Sequence, residues 1–161
     1  MHYLIDTNII IYRLKNLGNV NANFLKNKDK HMSLSVISYG ELVFGAKKSK
    51  AVEKNMETVN AIKSIFPLLE ITSEIMNIFG EIKAYTQKIG KTIDDMDLLI
   101  AATAITNNFT LVTHNTKHFK NIPNLKVEDW FWVFQVFTTN SDIDWSKSVA
   151  EIDQQRFPTV A

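Results

Sequence analysis

A chain of 161 residues with 45% hydrophobic and 22% charged residues has the balance of one folded domain, with room for an appendage, and not that of a disordered segment. It contains no cysteine, which excludes disulfides, thiolate zinc sites and cysteine nucleophiles and suits a reducing cytoplasm. The net charge of +1 provides no basic footprint, so charge argues neither for nor against a nucleic-acid ligand.

The opening MHYLIDTNIIIYRLKN is apolar over too few residues to span a membrane, and it lacks the basic start and small-residue cleavage site of a signal peptide. A cytoplasmic protein without membrane contact is expected. Residues 3–5 read as a buried strand that stops at Asp6-Thr7-Asn8. Residues 8–16 then read as a first helix, with Asp6 or Asn8 near its cap. Lysines cluster at Lys26, Lys28 and Lys30 and again at Lys47, Lys48 and Lys50, runs of the kind that usually form a solvated face.

Residues 32–36 (MSLSV) read as a second strand. Ser38 then begins S-Y-G-E, a capping-box pattern with Glu41 three residues on. The helix it opens runs out into lysines, which suit a helix C-terminus. Val52, Met56, Val59, Ile62 and Ile65 recur at helical spacing, and residues 66–71 (FPLLEI) read as a third strand. Residues 73–89 are helical again, with Ile75, Ile78, Phe79, Ile82 and Ile89 on one side and Gly90 as the stop. TIDDMDLLIAATAITNN is a turn entering a largely apolar, buried helix. LVTHN at 111–115 reads as a fourth strand and LKVEDW at 125–130 as a short last one.

Strands alternating with helices imply an α/β fold, a mostly parallel sheet with helices on both faces. Ligands of such sheets bind beyond the carboxyl ends of the strands. Asp6, Glu41, Asp97 and Asn115 all fall there. Each has a purely structural reading: Asp6 as an Asx-turn cap, Glu41 as the reciprocal half of a capping box, Asp97 as a charge favoured at a helix N-terminus. Together they mean more. Three carboxylates in one cleft raise one another's pKa unless a cation is present. A donor set of oxygens suits Mg²⁺ or Mn²⁺, which can activate water and neutralise a phosphodiester. His114 and His118 lie four apart, but the first follows a strand, so the spacing argues only weakly for zinc.

At these residues the sequence resembles the PIN-domain ribonucleases, and within them the VapC toxins. L-I-D-T-N-I-I-I-Y resembles their opening motif, S-V-I-S-Y-G-E-L-V-F-G-A the second, G-K-T-I-D-D-M-D-L-L-I-A-A-T-A the third and L-V-T-H-N-T-K-H-F the fourth. The four occur in family order, and L-K-V-E-D-W resembles the usual end of a VapC chain. The resemblance implies a PIN domain over 1–130, a three-layer α/β/α sandwich. It implies that Asp6 and Asp97 bind Mg²⁺ (or Mn²⁺) and that Glu41 completes the catalytic set, through water or by orienting the nucleophile. Thr7, Asn8, Ser38 and Thr113 match supporting residues. Asn115 stands where many PIN domains carry a fourth aspartate, while Asp94 and Asp95 read as cap and first-turn charges.

The implied activity is endoribonucleolytic hydrolysis of structured RNA, leaving a 5′-phosphate and a 3′-hydroxyl. The D-T-N-I-I-I-Y and E-L-V-F-G-A-K-K-S tracts most resemble toxins that cut initiator tRNA in its anticodon stem-loop. The implied partners are a VapB-like antitoxin, a second copy of the chain in a homodimer, and operator DNA reached only through the antitoxin. Rival readings are a PIN nuclease of RNA processing and a catalytically silent PIN module, which the intact Asp6, Glu41 and Asp97 disfavour. A haloacid-dehalogenase phosphatase would need an aspartate where Asn8 stands, and a receiver domain an acidic pair that is missing.

Residues 131–161 fall outside this pattern. FWVFQVF reads as a strand or an exposed apolar patch. D-I-D-W-S-K-S-V-A-E-I-D-Q-Q resembles a segment near the C-terminus of restriction-associated DNA methyltransferases, without their catalytic motifs, and reads as a fused fragment with a helix at 145–155.

Overall fold

The computed structural model describes residues 1–132. In chain order they form β1 (His2–Ile5), α1 (Thr7–Leu14), α2 (Val20–Lys26), β2 (His31–Ser35), α3 (Val36–Lys48), α4 (Val52–Ile65), β3 (Leu68–Leu69), α5 (Ser73–Lys88), α6 (Asp95–Thr106), β4 (Thr110–Val112), α7 (Thr116–Phe119) and β5 (Lys126–Glu128). The strands pair in the order β3-β2-β1-β4-β5, and every pairing is parallel. Among the described residues no helix is long and apolar enough to cross a membrane.

Side chains alternate across a strand, and in β1 that alternation builds two cores. Tyr3 and Ile5 face one side, where they join Ile9 and Ile10 of α1, Phe24 of α2, Leu42 of α3 and Val59 and Ile62 of α4. Leu4 faces the other, with Ile75 and Ile82 of α5, Leu98 and Ile100 of α6 and Phe119 of α7. The result is the three-layer sandwich that the alternation of elements implies. Leu4, Ile5, Ile9 and Leu111 are fully buried, and each such aliphatic side chain contributes roughly 1.5–3 kcal/mol of transfer free energy.

α6 is buried on nearly all sides: Leu98, Ile100, Ala101, Ala102, Thr103 and Ala104 are shielded from water. Three small alanines let α5 and the sheet approach closely from two directions, which explains why its sequence shows no polar face.

Several boundaries differ from the sequence reading. α2 was not anticipated: Val20 and Phe24 are its only buried residues, and two apolar positions one turn apart are a faint periodic signal. α7 is a single turn and equally hard to read. β3 and β4 are shorter than the runs 66–71 and 111–115, because Phe66 caps α4 and the chain turns away from the sheet after Val112.

The largest correction concerns the start of α3. Its cap is Ser35, not Ser38: the Ser35 hydroxyl accepts the Ser38 backbone N–H at 2.9 Å. The S-x-x-E pattern at Ser38–Glu41 is not a capping box, and Glu41 is released from that task.

The described chain closes on itself at its far end. Trp130 packs edge-on against Tyr3 and Phe24. The Asn19 N–H donates to the Phe131 carbonyl at 3.0 Å, and the Asn23 amide to that of Trp130 at 3.0 Å. Gly18 permits this closure. Its φ is +60°, and a β-carbon there would stand 2.7 Å from the Phe131 oxygen. Phe131 therefore packs with the body that precedes it. The remainder of the apolar run and the helix expected at 145–155 lie outside the described residues.

Candidate active site

β1 is the middle strand, and the sheet grows from it in both directions. The chain goes first to β2 and β3 on one side, then crosses to β4 and β5 on the other. The β1–β4 boundary is thus the point where strand order reverses, where a crevice opens beyond the strand ends. Ile5 pairs with Val112, so the next residue on each strand, Asp6 and Thr113, stands at that crevice. The Asp6 N–H continues the ladder to the Val112 carbonyl at 2.9 Å.

Asp6 is 4% exposed and caps α1. Its carboxylate accepts from the Thr7 N–H at 2.7 Å, the Asn8 amide at 2.5 Å and the Thr113 hydroxyl at 2.6 Å. Asn8 also accepts the His114 N–H at 3.0 Å through its amide oxygen, which fastens the start of α1 to the turn after β4. Burial pushes the Asp6 carboxyl up to about 6. The Thr113 and Thr7 hydrogen bonds work against that rise, and the charges of Glu41 and Asp97 add to it. Thr7, which donates to both Asp6 and Glu41, and the run Thr113–Asn115–His118, which leads from Asp6 to Asp97, set the three acids around the same strand end.

Glu41 is exposed and lies one and a half turns into α3, where it accepts a short hydrogen bond from the Thr7 hydroxyl. The placement follows from the cap at Ser35, which fixes the phase of the helix. Ser38 is fully buried, and its hydroxyl turns to Ser35 at 3.0 Å. It supports the site through the backbone and touches no carboxylate of the trio.

Asp97 projects from the first turn of α6. Its neighbours behave as read from sequence: Asp94 caps the helix through the Met96 N–H, and Asp95 pairs with Lys83 at 2.7 Å. Asp97 itself meets Nδ1 of His118 at 2.8 Å. The Asn115 amide lies 2.6 Å from the same nitrogen, so Asn115 reaches Asp97 only through that ring. His118 is the site residue whose place the sequence does not reveal. The His114 ring points elsewhere, 3.0 Å from Asp129; the two imidazoles take different partners.

Among the described residues no three His, Asp or Glu side chains stand close enough to form a ready-made metal cage. Glu41 rests on Thr7 and Asp97 on His118. The donor chemistry nevertheless fits a hard divalent cation: three carboxylates share one field, they raise the proton affinity of the buried one, and their ligating atoms are all oxygen. A cation that keeps several waters, as Mg²⁺ does, does not require all its ligands from protein.

The PIN domain family model matches residues 3–125. The chain is 36% identical to Ribonuclease VapC2 of Rickettsia felis over 132 residues, covering 81% of this chain and 98% of that protein. It is 30% identical to the tRNA(fMet)-specific endonuclease VapC of Shigella flexneri over 131 residues, with the same coverage. Among solved structures it is similar to the VapBC2 complex of Rickettsia felis bound to a promoter DNA fragment (TM-score 0.76, 35% identity, 81% of this chain and 99% of that one). It is also similar to VapBC-1 of nontypeable Haemophilus influenzae (TM-score 0.74, 32% identity, 81% and 98%).

Proposed function

The chain belongs to the PIN-domain family, and from that premise we propose that it is a metal-dependent endoribonuclease, the VapC-type toxin of a toxin–antitoxin pair acting in the cytoplasm. One observation carries the reading: hydrogen bonds through Thr7 on one side and Thr113, Asn115 and His118 on the other link Asp6, Glu41 and Asp97 at the strand-order reversal.

Asp6, Asp97 and Glu41 would hold Mg²⁺ (Mn²⁺ in its place), with Glu41 acting directly or through water. The ion, when bound, supplies positive charge for the phosphodiester and lowers the pKa of a water. The protein's own groups supply position. Thr113, Asn8 and the Thr7 N–H fix the Asp6 carboxylate with three donors, and the Thr7 hydroxyl steadies Glu41 beside it. The proposed reaction is hydrolysis: water adds at phosphorus, the P–O3′ bond breaks, and the products carry a 5′-phosphate and a 3′-hydroxyl.

The name of the Shigella relative favours initiator tRNA as the substrate, with the anticodon stem-loop as the expected target. The VapBC complexes among the structural relatives favour a VapB-like antitoxin as partner, and the promoter DNA bound by one of them favours operator DNA contacted through the antitoxin; a homodimeric toxin is part of the same proposal. The test is cleavage of purified tRNA with Mg²⁺ or Mn²⁺, repeated with excess EDTA and with Asp6→Ala and Asp97→Ala. Metal-dependent cleavage lost in both variants is expected. Cleavage that survives chelation would overturn the metal reading, and activity in both variants would overturn the site.

A further inference from the structure

We propose that His118 is a positioning residue: its imidazole holds the Asp97 carboxylate in the orientation that binds the divalent ion. The inference rests on the metal reading given above.

The geometry begins with α7. This one-turn helix is anchored by Phe119, which is 1% exposed in the second core, and is closed by the His118 N–H donating to the Asn115 carbonyl at 3.1 Å. With Phe119 inward, His118 faces the first turn of α6, and Nδ1 stands 2.8 Å from Oδ2 of Asp97. A neutral ring nitrogen cannot both donate to Asp97 and accept from Asn115. The tautomer carrying Nδ1–H gives that hydrogen to the carboxylate, and the Asn115 amide, whose nitrogen faces the ring in this structure, then turns over to present its oxygen.

The contacts join into one chain across the crevice. Asp6 receives the Thr113 hydroxyl, which in turn accepts the Asn115 N–H at 3.0 Å. The Asn115 side chain abuts His118, and His118 holds Asp97. The turn after β4 thus ties together acids from β1 and α6 that have no direct bond with each other. The ring contributes little to folding: the His118 side chain is 55% exposed, against 20% for Asp97, and an ion pair with one partner in solvent is screened. Orientation is what remains for it to do, as a hydrogen bond from outside the coordination shell orients a ligand within it.

The experiment titrates Mn²⁺ into the full chain without RNA, followed by electron paramagnetic resonance, for wild type, His118→Ala and His118→Asn. His118→Ala should bind Mn²⁺ roughly 10-fold more weakly with an unchanged melting temperature. His118→Asn, whose amide nitrogen can stand near the place of Nδ1, should recover most of the affinity. Wild-type affinity in His118→Ala would overturn the positioning role while leaving the metal reading intact. Wild type without saturable Mn²⁺ binding would overturn the metal reading and this inference with it. A ¹⁴N coupling to Mn²⁺ that His118→Ala abolishes would make the ring a ligand instead, and would equally overturn positioning.

Discussion

Asp6 carries an energetic cost that its hydrogen bonds only partly offset. Its pKa rises from 3.8 to about 6, chiefly through burial. At low pH the group is protonated in folded and unfolded chains alike and costs nothing. As pH climbs through that interval the unfolded chain releases its proton first, so stability falls. Above about pH 6 the full penalty is present, about 3 kcal/mol at most by linkage. Asp6→Asn removes the charge, although its amide nitrogen must face one of the present donors. In metal-free buffer the variant should be more stable than wild type by about 1–3 kcal/mol at pH 7, with the difference vanishing toward pH 4. Urea denaturation at a series of pH values measures this, and a wild type as stable as the variant at pH 7 would contradict it. Added Mg²⁺ should stabilise wild type and leave the variant unmoved, since binding to the folded form alone shifts the equilibrium.

At the scale of elements, the phase of α3 decides where Glu41 points. The Ser35 hydroxyl caps that helix, so Ser35→Ala should cost about 1 kcal/mol and lower the melting temperature by several degrees. Ser38→Ala keeps the capped N–H and should cost less; thermal melts of the two variants give the ranking, and the reverse order would restore the capping box at Ser38. The sequence S-L-S-V-I-S-Y-G-E offers three serines, and only the S-x-x-E spacing marks one of them. A cap with no acidic partner leaves no such mark, which is why the sequence pattern points to Ser38 and the structure to Ser35. β1, α5 and α6 were legible because each is a sustained apolar pattern bounded by polar or glycine punctuation. Asp6 stands out directly after β1, Asp97 in the first turn of α6, and Glu41 inside α3 by its motif resemblance alone. His118 was not legible: its role depends on the direction of a one-turn helix set by a buried Phe119, and no local pattern encodes that direction.

The whole molecule is closed by residues at both ends of the described chain. Trp130 is 3% exposed and lies against Tyr3 of the first strand and Phe24 of α2. Trp130→Ala should cost about 3–5 kcal/mol, measured by urea denaturation. Among the described residues, the contacts that make this closure lie at or before Phe131. The pairing of β1 with β4 has a further consequence. Asp6 and its Thr113 donor are 107 residues apart in sequence, and α6, which carries Asp97, is also made late. A ribosome translating this message therefore carries an incomplete crevice until the fourth strand has emerged and docked, so synthesis itself delays the moment at which these acids meet.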